Sequence, residues 1–501
     1  MNTKTSEVIG AVLLLLSAAT VNAENQTPVN TFGEPGEQCA KLKSADFSLT
    51  EDAPAEITAA TPVKGAGATP STCVVEGVVW SNVRFRVEFP LTGWNGKMLV
   101  AGSGGQAGFI TTASDYYDKE RWNSQPLLPQ GYAFVSHDSG HSDYMGTKWG
   151  WHNPSALIDY GFRAGHVAGL IGKEVLRDFY GRRPARSYYH SCSNGGREAL
   201  IMAQRYPWDY DGIVAGAPAP SYNSLFVRFY AFVEALKDRS RSGFDSQAAS
   251  ALHQSVLEQC DALDGKKDGI LEDPRQCKVD FNRVLCKGGA APNCLTTHQV
   301  DIARQIYAGP RRPDGSQIAP SSAMPGSELG WERWLDASTY PTEFFRYQAF
   351  DPAPGPGWTP DPTKLGEYAR RMGLMDSLIA AVNPDLRQFK AHGGKLLSYY
   401  GWNDAMAGLW ENVDYYETTE RVMGGPEKTR DFYRLFMIPG MDHCTGGEGV
   451  FMFDYIGALD RWVEQGKAPD ILTGYHPRPD GSPQFTNDVA YYRTAEPQHR
   501  R

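Results

Sequence analysis

Basic residues are few in this sequence, and long apolar segments are absent after its N-terminus. Its 49 Lys and Arg are outnumbered by 58 Asp and Glu, which gives a net charge of −9 at pH 7. This acidic balance argues against nucleic acid or an anionic membrane as the main partner. No later segment approaches the roughly 18 uninterrupted apolar residues that a membrane-spanning helix requires. We therefore expect the mature protein to be soluble, with neither a nucleic acid nor a membrane as its partner.

The first 23 residues have the organisation of a signal peptide. Lys4 supplies the positive charge, residues 8–19 form the apolar stretch, and Val21-Asn22-Ala23 supplies a small-residue cleavage site. The apolar stretch is too short for a stable membrane span. We predict export, either to a periplasm or out of the cell, and export permits disulfides. The 8 cysteines suit four bridges, although their number alone leaves the pairing open.

Strand-like and helical segments alternate in the first half of the chain. Residues 97–101 form an apolar strand that runs into a glycine loop, and residues 164–180 have helical spacing that ends at Gly181. Further segments are predicted as strands at 73–80, 83–89, 132–136 and 187–190, and as a helix at 196–206. Such alternation predicts the α/β class, with a parallel sheet covered on both faces.

The character of the sequence changes between residues 221 and 385. This segment holds four of the cysteines, many Pro and Gly residues, and helical stretches at 225–236 and 296–307. Strands return at 395–400 and 432–438. We interpret 24–220 and 386–501 as two parts of one α/β core, and 221–385 as a lid domain inserted between them.

A nucleophile elbow is indicated by residues 190–196, His-Ser-Cys-Ser-Asn-Gly-Gly. The small-x-Ser-x-Gly form places a serine, here Ser193, on a sharp strand-to-helix turn. A lone serine is a poor nucleophile and needs an adjacent base that a third group holds. In α/β-hydrolases the acid and the histidine follow the serine in that order, each after a strand. The elbow therefore predicts two partners further along the chain.

Asp404 and His443 occupy those two places. Asp404 follows the predicted strand at 395–400, and His443 follows the one at 432–438. We predict Ser193 as nucleophile, His443 as general base and Asp404 as the acid. Asp442 is a rival for the acid, but as the neighbour of His443 in sequence it is poorly placed to reach that imidazole.

The oxyanion of the reaction needs two backbone N–H donors. One is predicted at Asn194, the residue after the nucleophile. The other is expected from the loop Gly102-Ser103-Gly104-Gly105, because glycine lets the backbone approach a substrate closely. We predict Gly104 or Gly105 as that donor.

A second site is suggested by an Asp-rich stretch between Cys260 and Cys277. Asp261, Asp264 and Asp268 recur there, with the carbonyls of Lys266 and Ile270 beside them. Hard oxygen ligands on a compact loop suit Ca²⁺. The spacing is not that of an EF-hand, and Asp-Gly pairs also form plain turns, so the spacing leaves both interpretations open. A calcium ion here would be structural, because a lid loop is badly placed to activate water at the serine.

The combination of Cys192-Ser193, Asp404 and His443-Cys444 resembles the CS-D-HC motif of the tannase and feruloyl esterase family. The likeness extends over nearly the whole mature chain, including the large lid. The family includes feruloyl esterases, tannases and the mono(2-hydroxyethyl) terephthalate hydrolase. The resemblance implies an α/β-hydrolase core with a large inserted lid domain and the activity of a serine carboxylic-ester hydrolase.

The resemblance also implies the disulfides and favours the metal. It implies the pairs Cys192–Cys444, Cys260–Cys277 and Cys286–Cys294, which leaves Cys39–Cys73 as the fourth. It implies a structural Ca²⁺ in the lid whose ligands are Asp261, Asp264, Lys266 O, Asp268 and Ile270 O.

The substrate that the resemblance implies is a small ester of an aromatic acid. Feruloyl, other hydroxycinnamoyl and galloyl esters are favoured, with the alcohol attached to a plant polysaccharide or polyphenol. A terephthalate monoester is the alternative within the family. A catalytically silent binding protein and a serine peptidase of similar fold are the rivals from other classes. The lid supplies aromatic residues either for a cleft or for its own core: Trp331, Trp334, Tyr340, Phe344 and Phe345.

Overall fold

The computed structural model describes residues 34–144, 146–237, 243–288, 291–335 and 338–494. The predicted signal peptide lies outside these residues. Within them, every helix is too short or too polar to serve as a membrane span.

A mixed sheet forms the centre of the described chain. Its nine strands lie in the order β1-β2-β3-β5-β4-β6-β7-β8-β9. The strands are β1 (Ala55–Val63), β2 (Thr72–Val79), β3 (Val83–Pro90), β4 (Lys97–Ala101), β5 (Ala133–His137), β6 (Arg186–Cys192), β7 (Gly212–Gly216), β8 (Lys395–Gly401) and β9 (Tyr433–Ile438). A separate hairpin is made of β10 (Ile471–Pro477) and β11 (Pro483–Ala490).

The predicted parallel pairing is found on one side of the sheet, and the other side is antiparallel. From β5 through β4 to β9 every pairing is parallel, whereas β1, β2, β3 and β5 pair antiparallel. Only residues 80–82 join β2 to β3. So short a connection forces an antiparallel hairpin, because a parallel crossover needs a dozen or more residues. The half of the sheet that carries the candidate site is the parallel half.

Helices cover this sheet. α4 packs against β3, β4 and β5, α5 packs against β6 and β7, and α15 packs against β7 and β8. The helices of the core are α1 (Pro35–Lys41), α2 (Ala113–Asp118), α3 (Pro154–Ile158), α4 (Ala164–Tyr180), α5 (Asn194–Arg205), α13 (Leu409–Val422), α14 (Pro426–Arg430) and α15 (Tyr455–Gln465). The predicted strand at 97–101 and helix at 164–180 are confirmed with those bounds.

Between β7 and β8 the described residues add no strand to the sheet. This segment, interpreted above as the lid, contains α6 (Tyr222–Leu236), α7 (Ser246–Cys260), α8 (Thr297–Ala308), α9 (Thr339–Tyr347), α10 (Leu365–Arg371), α11 (Gly373–Ile379) and α12 (Arg387–Ala391). Most members of one apolar cluster lie in this segment, and within that cluster Trp331 packs against Phe244 and Tyr307. A second cluster joins it to the core through contacts of α6 and α9 with Tyr160 and Trp149.

A buried histidine ties the lid to the loop that carries His443. His253 contacts Glu328 of the lid at 2.8 Å and Glu448 of that loop at 3.2 Å. Burial opposes protonation, but the two carboxylates outweigh it and raise the pKa of His253 to about 10. At neutral pH His253 is therefore a cation that lies between the side chains of Glu328 and Glu448.

Four disulfides close the chain: Cys39–Cys73, Cys192–Cys444, Cys260–Cys277 and Cys286–Cys294. These are the pairs that the family resemblance implies. Two of them lie within the lid, and one joins the two parts of the core.

Candidate active site

Ser193 lies on a sharp turn between β6 and α5. Its φ of 64° is in the left-handed region, where non-glycine residues are uncommon. The turn requires glycine at two following positions. A Cβ on Gly195 would lie 2.0 Å from Ser191 Oγ, and one on Gly196 would lie 2.1 Å from Gly216 O. The close approach of β6, α5 and β7 thus explains the small residues of the elbow, and it exposes the serine hydroxyl at the sheet edge.

The side chains of Ser193, His443 and Asp404 form one hydrogen-bonded chain. His443 Nε2 lies 2.8 Å from Ser193 Oγ, and His443 Nδ1 lies 2.6 Å from Asp404 Oδ2. Burial would raise the pKa of Asp404, but His443 and the N–H groups of Met406 and Ala407 lower it. Asp404 therefore stays ionised and fixes the imidazole with Nδ1 protonated, so that Nε2 can accept the serine proton.

The topology explains why residues so distant in sequence meet. β6, β8 and β9 run parallel with β7 between β6 and β8, so their carboxyl ends lie at the same edge. Each of the three residues follows one of these strands. The Cys192–Cys444 disulfide, with its Cα atoms 5.9 Å apart, joins the residue before Ser193 to the residue after His443. Ser193 and His443 are therefore linked covalently through their neighbours.

Asp442 does not contact the imidazole of its neighbour. Its backbone N–H donates to Gly446 O at 3.1 Å, and its carboxylate faces Gly330 of the lid. Burial raises the pKa of Asp442 to about 6, and the nearby negative charges of Asp404 and Glu448 add to the rise. The structure thus places Asp404, and not Asp442, on His443.

The predicted oxyanion donors lie beside the serine, with one difference from expectation. Asn194 is the first residue of α5, where backbone N–H groups have no partner within the helix. Gly105 and Gln106 line the same cavity as Ser193, whereas Gly104 is not among the residues that line it. Gln106 was missed because the sequence argument looked for glycine only.

An aromatic cavity of about 80 Å³ adjoins the serine. One face of α6 supplies much of its wall. The lining residues include Ala219, Tyr222, Leu225, Phe226, Phe229, Trp334, Tyr340, Met406 and Ala407. The residues from α6 recur at the three- and four-residue spacing of one helical face, and that spacing is the sequence signal that could have identified them.

The five aromatic residues of the lid divide between the cavity and the lid interior. Trp334 and Tyr340 line the cavity, and Trp334 meets the His443 ring edge-on at 5.2 Å between centroids. Trp331 is 1% exposed within the lid cluster. Phe344 and Phe345 are also buried, Phe344 by stacking on Phe226 at 3.8 Å.

Two arginines of the lid, Arg333 and Arg346, differ in how they are held. Arg346 is paired with Glu343 and donates to the carbonyl of Trp358. Arg333 is exposed, with its guanidinium 5.7 Å from the ring centroid of Trp334. Arg333 is thus the one of the pair that adjoins the cavity wall.

The Asp-rich loop that was predicted to bind calcium carries its carboxylates on the surface of the protein. Asp261, Asp264 and Asp268 each accept a loop N–H, at 2.8 to 3.2 Å. Burial raises the pKa of Glu272, and the charges of Asp264 and Asp268 add to the rise, so the loop concentrates negative charge. Carboxylate and carbonyl oxygens are the ligands that Ca²⁺ prefers. However, nowhere in the described residues are three His, Cys, Asp or Glu side chains grouped to hold a metal ion.

Comparison with known proteins identifies similar chains. The family model described as tannase and feruloyl esterase matches residues 69–352 and 358–492. A probable feruloyl esterase B-2 of Aspergillus terreus is 31% identical over 420 residues, which cover 79% of this chain and 76% of that protein. The mono(2-hydroxyethyl) terephthalate hydrolase of Piscinibacter sakaiensis is 28% identical, over 84% of this chain and 81% of that protein. The crystal structure of feruloyl esterase B from Aspergillus oryzae superimposes with a TM-score of 0.78 at 27% identity, over 91% and 96% of the two chains.

Proposed function

This chain belongs to the tannase and feruloyl esterase family, and we propose that it is an exported serine esterase that cleaves esters of aromatic acids. Membership of that family makes it a carboxylic ester hydrolase with an α/β-hydrolase fold. The observation that carries the proposal is the chain of contacts from Ser193 through His443 to Asp404 beside an aromatic cavity.

The mechanism follows from that geometry. His443 Nε2 takes the proton of Ser193 as its oxygen attacks the ester carbonyl, and Asp404 stabilises the imidazolium that forms. The N–H of Asn194 and a second N–H from the glycine loop stabilise the oxyanion, at about 3 kcal/mol for each donor. His443 then returns the proton to the departing alcohol. Water repeats the sequence on the acyl-enzyme and releases the acid.

The shape and chemistry of the cavity support an aromatic acyl group. Rings of Tyr222, Phe226 and Trp334 form its walls, and aromatic rings stack favourably in such surroundings. Gln106 and Tyr340 supply polar groups for ring substituents. We propose feruloyl or other hydroxycinnamoyl esters first and galloyl esters second, with the alcohol attached to a plant polysaccharide or polyphenol.

A terephthalate monoester is the second candidate substrate. Its free carboxylate needs a cation, and Arg333 beside Trp334 is a group of that kind near the cavity. The cavity wall itself, in the described residues, includes neither Lys nor Arg. Because no cation lies in this wall, we propose an uncharged aromatic acid ahead of the terephthalate monoester.

We expect the mature protein to hydrolyse methyl ferulate faster than methyl gallate, and both faster than mono(2-hydroxyethyl) terephthalate. The aromatic wall accepts all three rings, whereas only the last substrate places a charge in it. Product formation is measured by chromatography, with the ferulate amide as the test for peptidase activity. Arg333→Gln is the matched variant, and it should slow terephthalate monoester cleavage selectively. A wild-type protein with intact disulfides that cleaves none of the esters would favour the silent scaffold instead.

We propose further that the loop after α7 binds a structural Ca²⁺. Asp261, Asp264 and Asp268, with the carbonyls of Lys266 and Ile270, would hold the ion. The Cys260–Cys277 bridge closes the same loop. When bound, the ion would neutralise clustered carboxylates and stabilise the lid, and it takes no part in ester cleavage.

Removal of calcium should therefore lower Tm by several degrees while changing kcat at 25 °C by less than about twofold. A bound ion at a hundred times its Kd stabilises by about 2.7 kcal/mol. Scanning calorimetry before and after chelation, with metal content checked by mass spectrometry, measures the shift. Asp264→Asn/Asp268→Asn should abolish the response to chelator. An unchanged Tm after verified metal removal would argue for a plain turn.

A further inference from the structure

The loop that follows Asp404 is held by a buried arginine of the lid. Arg228 lies on α6 and is 3% exposed. Its Nε and Nη2 both donate to Met406 O, at 3.1 and 2.9 Å. Its Nη1 donates to Glu411 Oε1 at 2.6 Å and to Pro320 O at 3.1 Å. All three guanidinium nitrogens are thus engaged, and two of them donate to one carbonyl oxygen.

That carbonyl belongs to a peptide whose N–H donates to the acid of the triad. This bridging peptide joins Met406 to Ala407. The N–H of Ala407 donates to Asp404 Oδ1 at 3.1 Å, and the N–H of Met406 donates to the same oxygen at 3.0 Å. The C=O and N–H of a trans peptide point in opposite directions, so Arg228 lies at one end of the bridging peptide and Asp404 at the other. Hydrogen bonds in such a series polarise and strengthen one another.

The far end of the same loop is held by a second side chain of the lid. Ser322 is fully buried, and its Oγ accepts the N–H groups of Gly408 and Leu409, each at 3.0 Å. These two N–H groups belong to the start of α13, where a helix offers no partner for them. Among the described residues that line the cavity beside Ser193, neither Arg228 nor Ser322 is present. The lid therefore fixes this loop from outside the cavity.

We propose that Arg228 is a positioning residue for Asp404, and that it acts through the bridging peptide. This proposal rests on the serine mechanism proposed above. The two N–H groups fix Asp404 Oδ1, and this leaves Oδ2 to hold His443 Nδ1 at 2.6 Å. A carboxylate that turned away from this orientation would release the imidazole from its position beside the nucleophile. The lid then contributes to catalysis by orienting the triad as well as by enclosing the cavity.

Arg228→Met/Glu411→Gln should lower kcat about tenfold while KM changes less than about threefold. The two substitutions together remove the bonds to Met406 O without leaving Glu411 as an unpaired charge. The rate of inactivation by diisopropyl fluorophosphate should fall in the same proportion as kcat. This reagent needs an activated Ser193 but has no aromatic ring to place in the cavity. The affinity for the acid product, which needs the cavity but not the base, should stay within about threefold of the wild type.

Arg346→Met/Glu343→Gln is the matched control. Arg346 is also an arginine of the lid that pairs with a glutamate and donates to a backbone carbonyl, here that of Trp358. This control should therefore leave kcat and the rate of inactivation unchanged. The positioning role is overturned if the Arg228 variant and the control are inactivated at equal rates. It is also overturned if the Arg228 variant loses product affinity in proportion to kcat, since loosening of the lid alone would have that effect.

Should the Arg228 double variant fail to fold, Arg228→Lys decides by the same readouts. Lysine keeps a positive charge opposite Glu411 but replaces the planar fork of donors with a single ammonium group. Its kcat and its rate of inactivation should fall together, and equality with the wild type in both would overturn the proposal. A wild-type protein that cleaves none of the esters and does not react with the fluorophosphate would instead overturn the proposed function, and this proposal with it.

Discussion

Replacing Ser193 with alanine should lower kcat by about 10⁶-fold for every ester that the protein cleaves. Ser193 Oγ is the hydroxyl that lies 2.8 Å from His443 Nε2, and without it no acyl-enzyme can form. The remaining oxyanion donors and the cavity retain a residual rate above that of water. Alanine inherits the same left-handed backbone conformation as serine, so we expect Tm to change by no more than about 2 °C.

Ser191→Ala is the control for this substitution. Ser191 is buried two residues earlier on β6, and its hydroxyl has no hydrogen-bond partner in the described residues. Its removal should leave kcat within about threefold of the wild type. A fluorophosphonate should label the wild type and Ser191→Ala at Ser193, as mass spectrometry of the peptide would show. Turnover that survives in Ser193→Ala would refute the serine mechanism.

The elements that could be predicted from the sequence are those with strong local signals. The strand at 97–101 is a short apolar run before glycine, and the helix at 164–180 ends at Gly181, whose φ is 73°. The helix behind the elbow was predicted from residue 196 but begins at Asn194. Gly195 and Gly196 have low helix propensity, so the sequence did not predict a helix there. Both are required by close packing against other parts of the fold, and this packing cannot be identified from neighbouring residues in the sequence.

The elements that were missed are stabilised by contacts distant in sequence. β1 is an edge strand that is half exposed, and the hairpin of β10 and β11 is also largely exposed, so neither has the apolar run of a buried strand. The antiparallel pairing of β1, β2 and β3 follows from short connections rather than from residue type. The spacing of apolar residues identifies a strand, but it does not show which strands pair with it or in which direction they run.

The candidate site divides in the same way. The order of Ser193, Asp404 and His443, each after a strand, could be identified because the sequence order mirrors the topology. The position of Gln106 in the cavity wall could not, because nothing near it in the sequence marks a residue that lines a cavity. The part of the cavity wall that α6 supplies is an intermediate case. The spacing of its residues shows a helical face in the sequence, but it does not show what that face contacts.

Asp404→Asn should lower kcat about 10⁴-fold, whereas Asp442→Asn should keep most of the activity. Asp404 Oδ2 lies 2.6 Å from His443 Nδ1 and fixes the tautomer that leaves Nε2 free to accept a proton. An asparagine there can offer its NH₂ group to Nδ1 and favour the wrong tautomer. Kinetics of both variants on one ester from pH 5 to pH 9 make the comparison. An equal loss of kcat in the two variants would contradict the assignment of Asp404 as the acid that holds His443.

Asp442→Asn carries a second expectation, in stability. Burial raises the pKa of Asp442 from its ordinary 3.8 to about 6, so the folded state holds this proton more tightly than the unfolded state. The contribution of Asp442 to stability is therefore present below about pH 4 and is lost as pH rises through 6. Asparagine never ionises, so the variant should match the wild type near pH 4 and exceed it by about 1–2 kcal/mol at pH 8. Urea unfolding at the two pH values measures this difference. A variant that is less stable than the wild type at pH 8 would mean that the ionised Asp442 carboxylate has a favourable partner. Arg333 is the first candidate for that partner, because its positive charge lowers the pKa of Asp442. A double-mutant cycle in which Arg333 is also replaced would measure their interaction.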